Sequence, residues 1–262
     1  MDALNLLFNA CKTNDARMAK ELAQKDFCLA RDKNGMTPLM VAAESGSVEA
    51  LRIVLPLSNA PDRNRKGDSA LGVAAKAGQA ACVRELIGPC DPSECDHRGT
   101  WPLLGAAWRG DVESVRELLP FTDALKMNPA GGCALSVAIA RGQPEMIRLL
   151  APVSSHVGVG EWAGYTSVHQ AILKNSVEDV AVACVKELLP YCDLTLRCPK
   201  AVFLSPPMTP LEMAREYSIP KVGQLLENWL AEAAAALEAQ IIAASAEGPL
   251  PPSGARPLKM SL

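Results

Sequence analysis

Two series of glycines divide this chain at one interval. Gly35, Gly67, Gly99 and Gly131 follow one another at 32 residues (67 − 35, 99 − 67, 131 − 99), and Gly164 comes 33 later. Gly46, Gly78, Gly110 and Gly142 keep the same step of 32. Asn14 lies one step before Gly46 and Asn175 follows Gly142 by 33. Asparagine is the residue that best replaces glycine in a left-handed helix cap, so two fixed backbone bends recur in every unit.

The segments between the bends read as helices. In Thr37-Pro38-Leu39-Met40-Val41-Ala42-Ala43 the threonine can cap a helix and the proline suits its first turn. Small pairs recur at Ala10-Cys11, Ala74-Ala75, Ala106-Ala107, Ala138-Ile139 and Ala171-Ile172, which lets these helices approach their neighbours closely. After the second bend the pairs Leu51/Val54, Val83/Leu86, Val115/Leu118 and Ile147/Leu150 mark the apolar stripe of an amphipathic second helix. Pro56, Pro120 and Pro190 then stop it, because proline lacks the amide donor and clashes with the preceding turn. About a dozen turn-rich residues lead back to the next first helix. With aromatics at 4% and hydrophobic residues at 49%, closely packed helices suit this chain better than a sheet of bulky β-formers.

The run Asp32-Lys33-Asn34-Gly35-Met36-Thr37-Pro38-Leu39, then Ala42-Ala43 and Gly46, resembles the ankyrin repeat, and the pattern covers roughly residues 1 to 230. The resemblance implies an all-α repeat solenoid of about seven units. In it β-hairpin or loop fingers and first helices line a concave face, and second helices lie outside. It divides the chain into a capping repeat at 1–31 and five ankyrin-like repeats over 32–203. A degenerate repeat with a capping helix follows at 204–246, then a proline-rich disordered tail at 247–262. Some units depart from the pattern. Trp101 stands at the capping threonine of the fourth and Cys133-Ala134 replaces Thr-Pro in the fifth, which weakens the caps there. The sixth carries about five extra residues between Ser176 and Ala183 and is followed by a long finger, 192–207.

Several chemistries find little support. A formal charge of −3 supplies no basic field for a nucleic acid backbone. No segment reaches the 18 to 20 apolar residues of a membrane span, and Met1 to Cys11 lacks the basic flank of a secretory signal, so a cytoplasmic protein is expected. Nine cysteines follow the helices and read as free, buried thiols. Cys90, Cys95 and His97 lie three units from Cys192 and Cys198, roughly 30 Å at about 10 Å per helix layer, too far to share one zinc ion. Gly158-Val159-Gly160 has no buried strand before it and reads as a turn, and His156 beside Ser154 and Ser155 as a solvated loop. Neither a metal, a cofactor nor a catalytic residue is expected; an enzyme using the finger cysteines is the remote alternative.

A protein partner is therefore the expectation. The resemblance places recognition just before the helix-capping glycine, at Glu44, Lys76, Trp108, Arg109, Arg141, Lys174 and Tyr217, and on the finger tips, at Lys33, Met36, Arg65, Asp68 and Tyr165. Trp108, Arg109, Arg141, Tyr165 and Lys174 would form an aromatic and basic patch in the middle units, a composition enriched in binding hot spots. The apolar stripe Val222, Leu225, Leu226, Trp229, Ala233, Leu237 and Ile241 should cover the open end of the stack, with a homodimer through 222–246 as its second use.

Overall fold

The computed structural model describes residues 3–157, 164–198 and 207–246, with side chains to residue 240. The dinucleotide-like Gly158-Val159-Gly160, residues 199–206 of the long finger and the 247–262 tail lie outside these residues.

The helices fall into successive pairs: α1 (Ala3–Thr13) with α2 (Ala16–Leu22), α4 (Pro38–Ser45) with α5 (Val48–Val54), α6 (Ala70–Ala77) with α7 (Ala80–Leu86), and α8 (Pro102–Arg109) with α9 (Val112–Leu118). Then come α10 (Ala134–Ala140) with α11 (Pro144–Leu150), α12 (Ser167–Lys174) with α13 (Glu178–Leu188), and α14 (Pro210–Glu216) with α15 (Pro220–Ala246); a short α3 (Lys25–Leu29) follows the first pair. First helices pack on first helices, and second helices on second helices, from one end to the other. The result is a two-layered solenoid.

The spacing read from the sequence is what fills the interface between layers. Leu39, Leu71, Leu103, Leu135 and Val168, one per inner helix, are fully buried, as are the outer pairs from Leu51/Val54 to Val185/Leu188. Each such side chain contributes about 1.5–3 kcal/mol by leaving water. The paired alanines are buried as well, and their small volume sets the close approach of neighbouring inner helices.

Both glycine series have positive φ throughout. At Gly67, with φ +85°, a Cβ would also lie 2.9 Å from the backbone nitrogen of His97, so fingers two and three can touch only because the side chain is missing. Asn14 takes the left-handed conformation as expected, at φ 56°. Asn175 does not: its backbone is extended, and its side-chain amide instead donates to the carbonyls of Ile139 and Ala171. Ser218 occupies the left-handed position of the last pair.

The fingers contain no strand among the described residues. Each is a tight turn held by one carboxylate or amide: the Oδ1 atoms of Asp32, Asn64, Asp96 and Asn128 each accept from the amides two and four residues on. Adjacent fingers are tied by arginine. Arg31 donates to the carbonyl of Arg63 at 2.5 Å and pairs with Asp62, and Arg63 repeats both contacts with Cys95 and Glu94. Cys95 and Met127 take the next two arginine positions, and this ladder stops.

The prolines act differently from the expectation. Pro56, Pro120 and Pro190 do not end the helical path but turn it into one 3-10 turn, at Leu55–Leu57, Leu119–Phe121 and Leu189–Tyr191. Each turn follows directly on its helix, whose ladder still takes the amides of Leu55, Leu119 and Leu189, and the proline that comes next has no amide with which to continue it. Trp101 caps α8 without a side-chain hydrogen bond, and Cys133 caps α10 only through its sulfur, at 3.5 Å. The insertion in the sixth pair lengthens its outer helix: α13 has 11 residues where α11 has 7, about one extra turn.

Candidate partner-binding site

The inner helices end side by side, and the residues at their C-terminal ends face the row of fingers. Between the third and fourth pairs this arrangement opens a groove of about 580 Å³ lined by Lys76, Asp96, Arg98, Thr100, Leu104, Gly105, Trp108, Arg109, Asn128 and Arg141. Trp108 stands 60% exposed, and the Arg141 guanidinium lies over its ring at 5.0 Å. That stacking holds both groups in place while leaving the remaining guanidinium donors to solvent.

Lys76 is fixed across the floor of the groove. Its ammonium bridges Asp68 and Asp96, the second at 2.6 Å, and so clasps two fingers to one helix. Both carboxylates are buried, at 7% and 6% side-chain exposure. Burial alone would raise the Asp96 carboxyl; hydrogen bonds from Lys76 and from the amides of Thr100 and Arg98 outweigh it and hold the group below its usual value. Gly105 makes room for this clasp, since a Cβ there would meet the Lys76 stem at 2.8 Å.

The chain matches the ankyrin repeat family model over residues 2–66 and 103–198. It belongs to the ankyrin repeat family. Among solved structures, an ankyrin repeat domain from Acinetobacter baumannii AYE superimposes with a TM-score of 0.64 at 26% identity, over 73% of this chain and 97% of that one. No curated protein matches the sequence. Ankyrin repeats are in general modules for protein–protein interaction, and the family is typically non-enzymatic.

Within this ankyrin stack the expected contact residues separate into two groups. Lys33, Glu44, Arg65, Trp108, Arg109, Arg141, Lys174 and Tyr217 are exposed, and Lys76 is half-buried in its clasp. Met36, Asp68 and Tyr165, expected at the finger tips, are buried instead. All three follow the finger glycine, and the chain there has already turned back into the stack. Met36 accepts a bond from the Asn64 amide, Asp68 holds Lys76, and the Tyr165 ring meets the edge of buried His169 at 6.0 Å. His156 is likewise no solvated loop, for its ring stacks on Tyr191 at 5.7 Å and its Nε2 bonds the Ala151 carbonyl at 2.8 Å.

Asp96, Arg98, Leu104, Gly105 and Asn128 are among the groove residues that sequence reasoning missed. Arg98 carries a legible signal, being next to Gly99 in the finger turn. The Lys76 clasp joins residues 8 and 20 apart in sequence and shows only when the fingers are stacked.

Six of the nine cysteines are buried, while Cys95 is exposed and Cys133 and Cys192 are half-buried. All nine are free thiols. Burial pushes Cys90 to about 11 and Cys192 to about 12, so neither offers a thiolate near neutral pH. Among the described residues no three His, Cys, Asp or Glu side chains are gathered to hold a metal ion. No described helix is long and apolar enough to cross a membrane.

Proposed function

We propose that this ankyrin repeat protein holds an acidic, extended segment of another protein along its inner face, centred on Trp108, Arg98, Arg109 and Arg141. One observation carries the reading. Among the described residues only Arg65, Arg98, Arg109 and Arg141 lack a carboxylate partner, and all four lie at finger tips or inner-helix ends. Every other described arginine is ion-paired, from Arg17 with Glu21 to Arg215 with Glu227. A chain with net charge −3 has carboxylates to spare, so leaving these four unpaired beside an exposed tryptophan reserves their donors for a ligand.

Chemistry at the groove favours carboxylates in extended chain. Arg109 and Arg141 end two successive inner helices, about 10 Å apart at the spacing of packed helices. An extended segment advances about 3.3 Å per residue, so every third side chain could meet the next cation. Nine free thiols, six of them buried, suit a reducing compartment such as the cytoplasm, which we take as its location.

Affinity capture from native extract tests the reading. Trp108→Ala combined with Arg141→Glu should lose a partner that the unaltered chain retains, with helical circular dichroism unchanged. Equal capture by both chains would overturn it.

A further inference from the structure

We propose that this chain pairs with a second copy of itself, each copy laying residues 230–240 of its last helix across the apolar row at the ends of its mate's outer helices. The row is made by Phe121, Val153 and Tyr191, with Leu57 further along. Each is the last residue of the 3-10 turn that follows an outer helix, three places after the buried residues Leu118, Leu150, Leu188 and Val54. Their exposures are 59%, 46%, 44% and 36%. Tyr191 also stacks on His156, but a large apolar side chain at this solvent-facing place recurs in the fourth, fifth and sixth units as well as the second, with Pro89 in its place in the third.

The last helix has the complementary pattern. Val222 and Leu226 are buried against the stack, and Leu225 and Trp229 pack at its margin, but every residue from 230 to 240 is exposed. Expected to cover the open end, α15 does so only as far as Trp229, and the part of the 222–246 stripe available to another copy begins at Leu230. Leu230 and Leu237 are 36% and 58% exposed and seven residues apart. At 1.5 Å per residue that is a rise of about 10.5 Å, close to the roughly 8–10 Å between stacked outer helices. One leucine can therefore meet each successive member of the row.

Charge and connectivity narrow the occupant to a second copy. Residues 230–246 contain Glu232 and Glu238 and no cation. Lys186, five residues before Tyr191, is an exposed outer-helix cation with no carboxylate partner among the described residues. The helix cannot reach its own row, because α15 runs unbroken from Pro220 to Ala246 and would have to bend back on itself. A two-fold pair uses each helix and each row once and leaves the inner face unused.

Sedimentation of the full chain over a range of concentrations tests this. A dimer is expected. Phe121→Ser with Tyr191→Ser should give a monomer, as should Leu230→Lys with Leu237→Lys, each with unchanged helical circular dichroism. Mixing the two variants restores one helix-on-row contact, and a heterodimer at least tenfold weaker than the wild-type pair should form. A wild-type monomer at every concentration overturns the proposal. So does a dimer that survives the Phe121 and Tyr191 changes and is lost with the leucines, since that is helix pairing with helix.

Discussion

The outer and inner faces of the stack use arginine in opposite ways. On the outside, Arg52 reaches Glu85 at 2.7 Å, Arg84 reaches Glu117 at 2.5 Å and Arg148 reaches Glu187 at 2.7 Å, each pair joining one unit to the next. These bonds hold the Glu85, Glu117 and Glu187 carboxyls below their usual range and raise the three guanidinium groups. On the inside, Arg98, Arg109 and Arg141 border a groove with no such carboxylate, although Asp96 lies within it and is taken by Lys76. The difference separates a surface whose ion pairs join one unit to the next from one whose guanidinium groups have no carboxylate partner.

Reversing the inner charges should break the comparison most sharply. Arg98→Glu with Arg109→Glu is expected to weaken an acidic partner about 100-fold, near 2.7 kcal/mol, as measured by calorimetry, while the melting temperature holds. A fall in melting temperature instead would mean that these arginines belong to the frame.

The frame beneath the groove is the next test. Trp101 is 1% exposed, its indole N–H has no partner, and Lys126 lies over its ring at 5.3 Å. Trp101→Thr restores the family's capping residue, which should contribute about 1 kcal/mol. It also empties a buried indole site at about 3 kcal/mol or more, so the variant should be less stable by about 2 kcal/mol in urea denaturation. A gain in stability would show that the cap outweighs the packing.

Acid should act through the Lys76 clasp. The Asp96 carboxyl is held below its unfolded value of about 3.9, so its contribution is present above that pH and is lost as pH falls through the folded value. Melting temperatures from pH 5 down to pH 2 should fall less steeply in Asp96→Asn than in the wild type. The same variant leaves Lys76 with Asp68 alone, and an acidic partner should bind it a few-fold more tightly at neutral pH.

The smallest effect is expected outside. Arg84 is 65% exposed, and an ion pair so open to water and salt contributes little. Arg84→Gln should shift the melting temperature only slightly and leave partner affinity unchanged.

Much of the frame is legible in the sequence because it depends on residues whose backbone demands are local. A glycine every 32 residues, a threonine–proline helix start and an apolar stripe act within one unit and repeat in the next. Legibility fails where a residue's role is decided by its neighbour in space. Met36, Asp68 and Tyr165 stand beside finger glycines and look like tip residues, but the turn buries them. Asn175 sits where a left-handed residue should, but its side chain does the capping. His169 is fully buried, with one ring nitrogen at Thr166 and the other 2.9 Å from the Met208 carbonyl of the next finger.

The amino-acid sequence by itself determined the unit, its period, its helices and the family, since each follows from propensities and spacings inside about 32 residues. Only the tertiary structure decided which arginines are already spent on carboxylates and which stay open. That depends on contacts between units, where an ion pair spans 33 or 39 residues of chain and a distance of less than 3 Å.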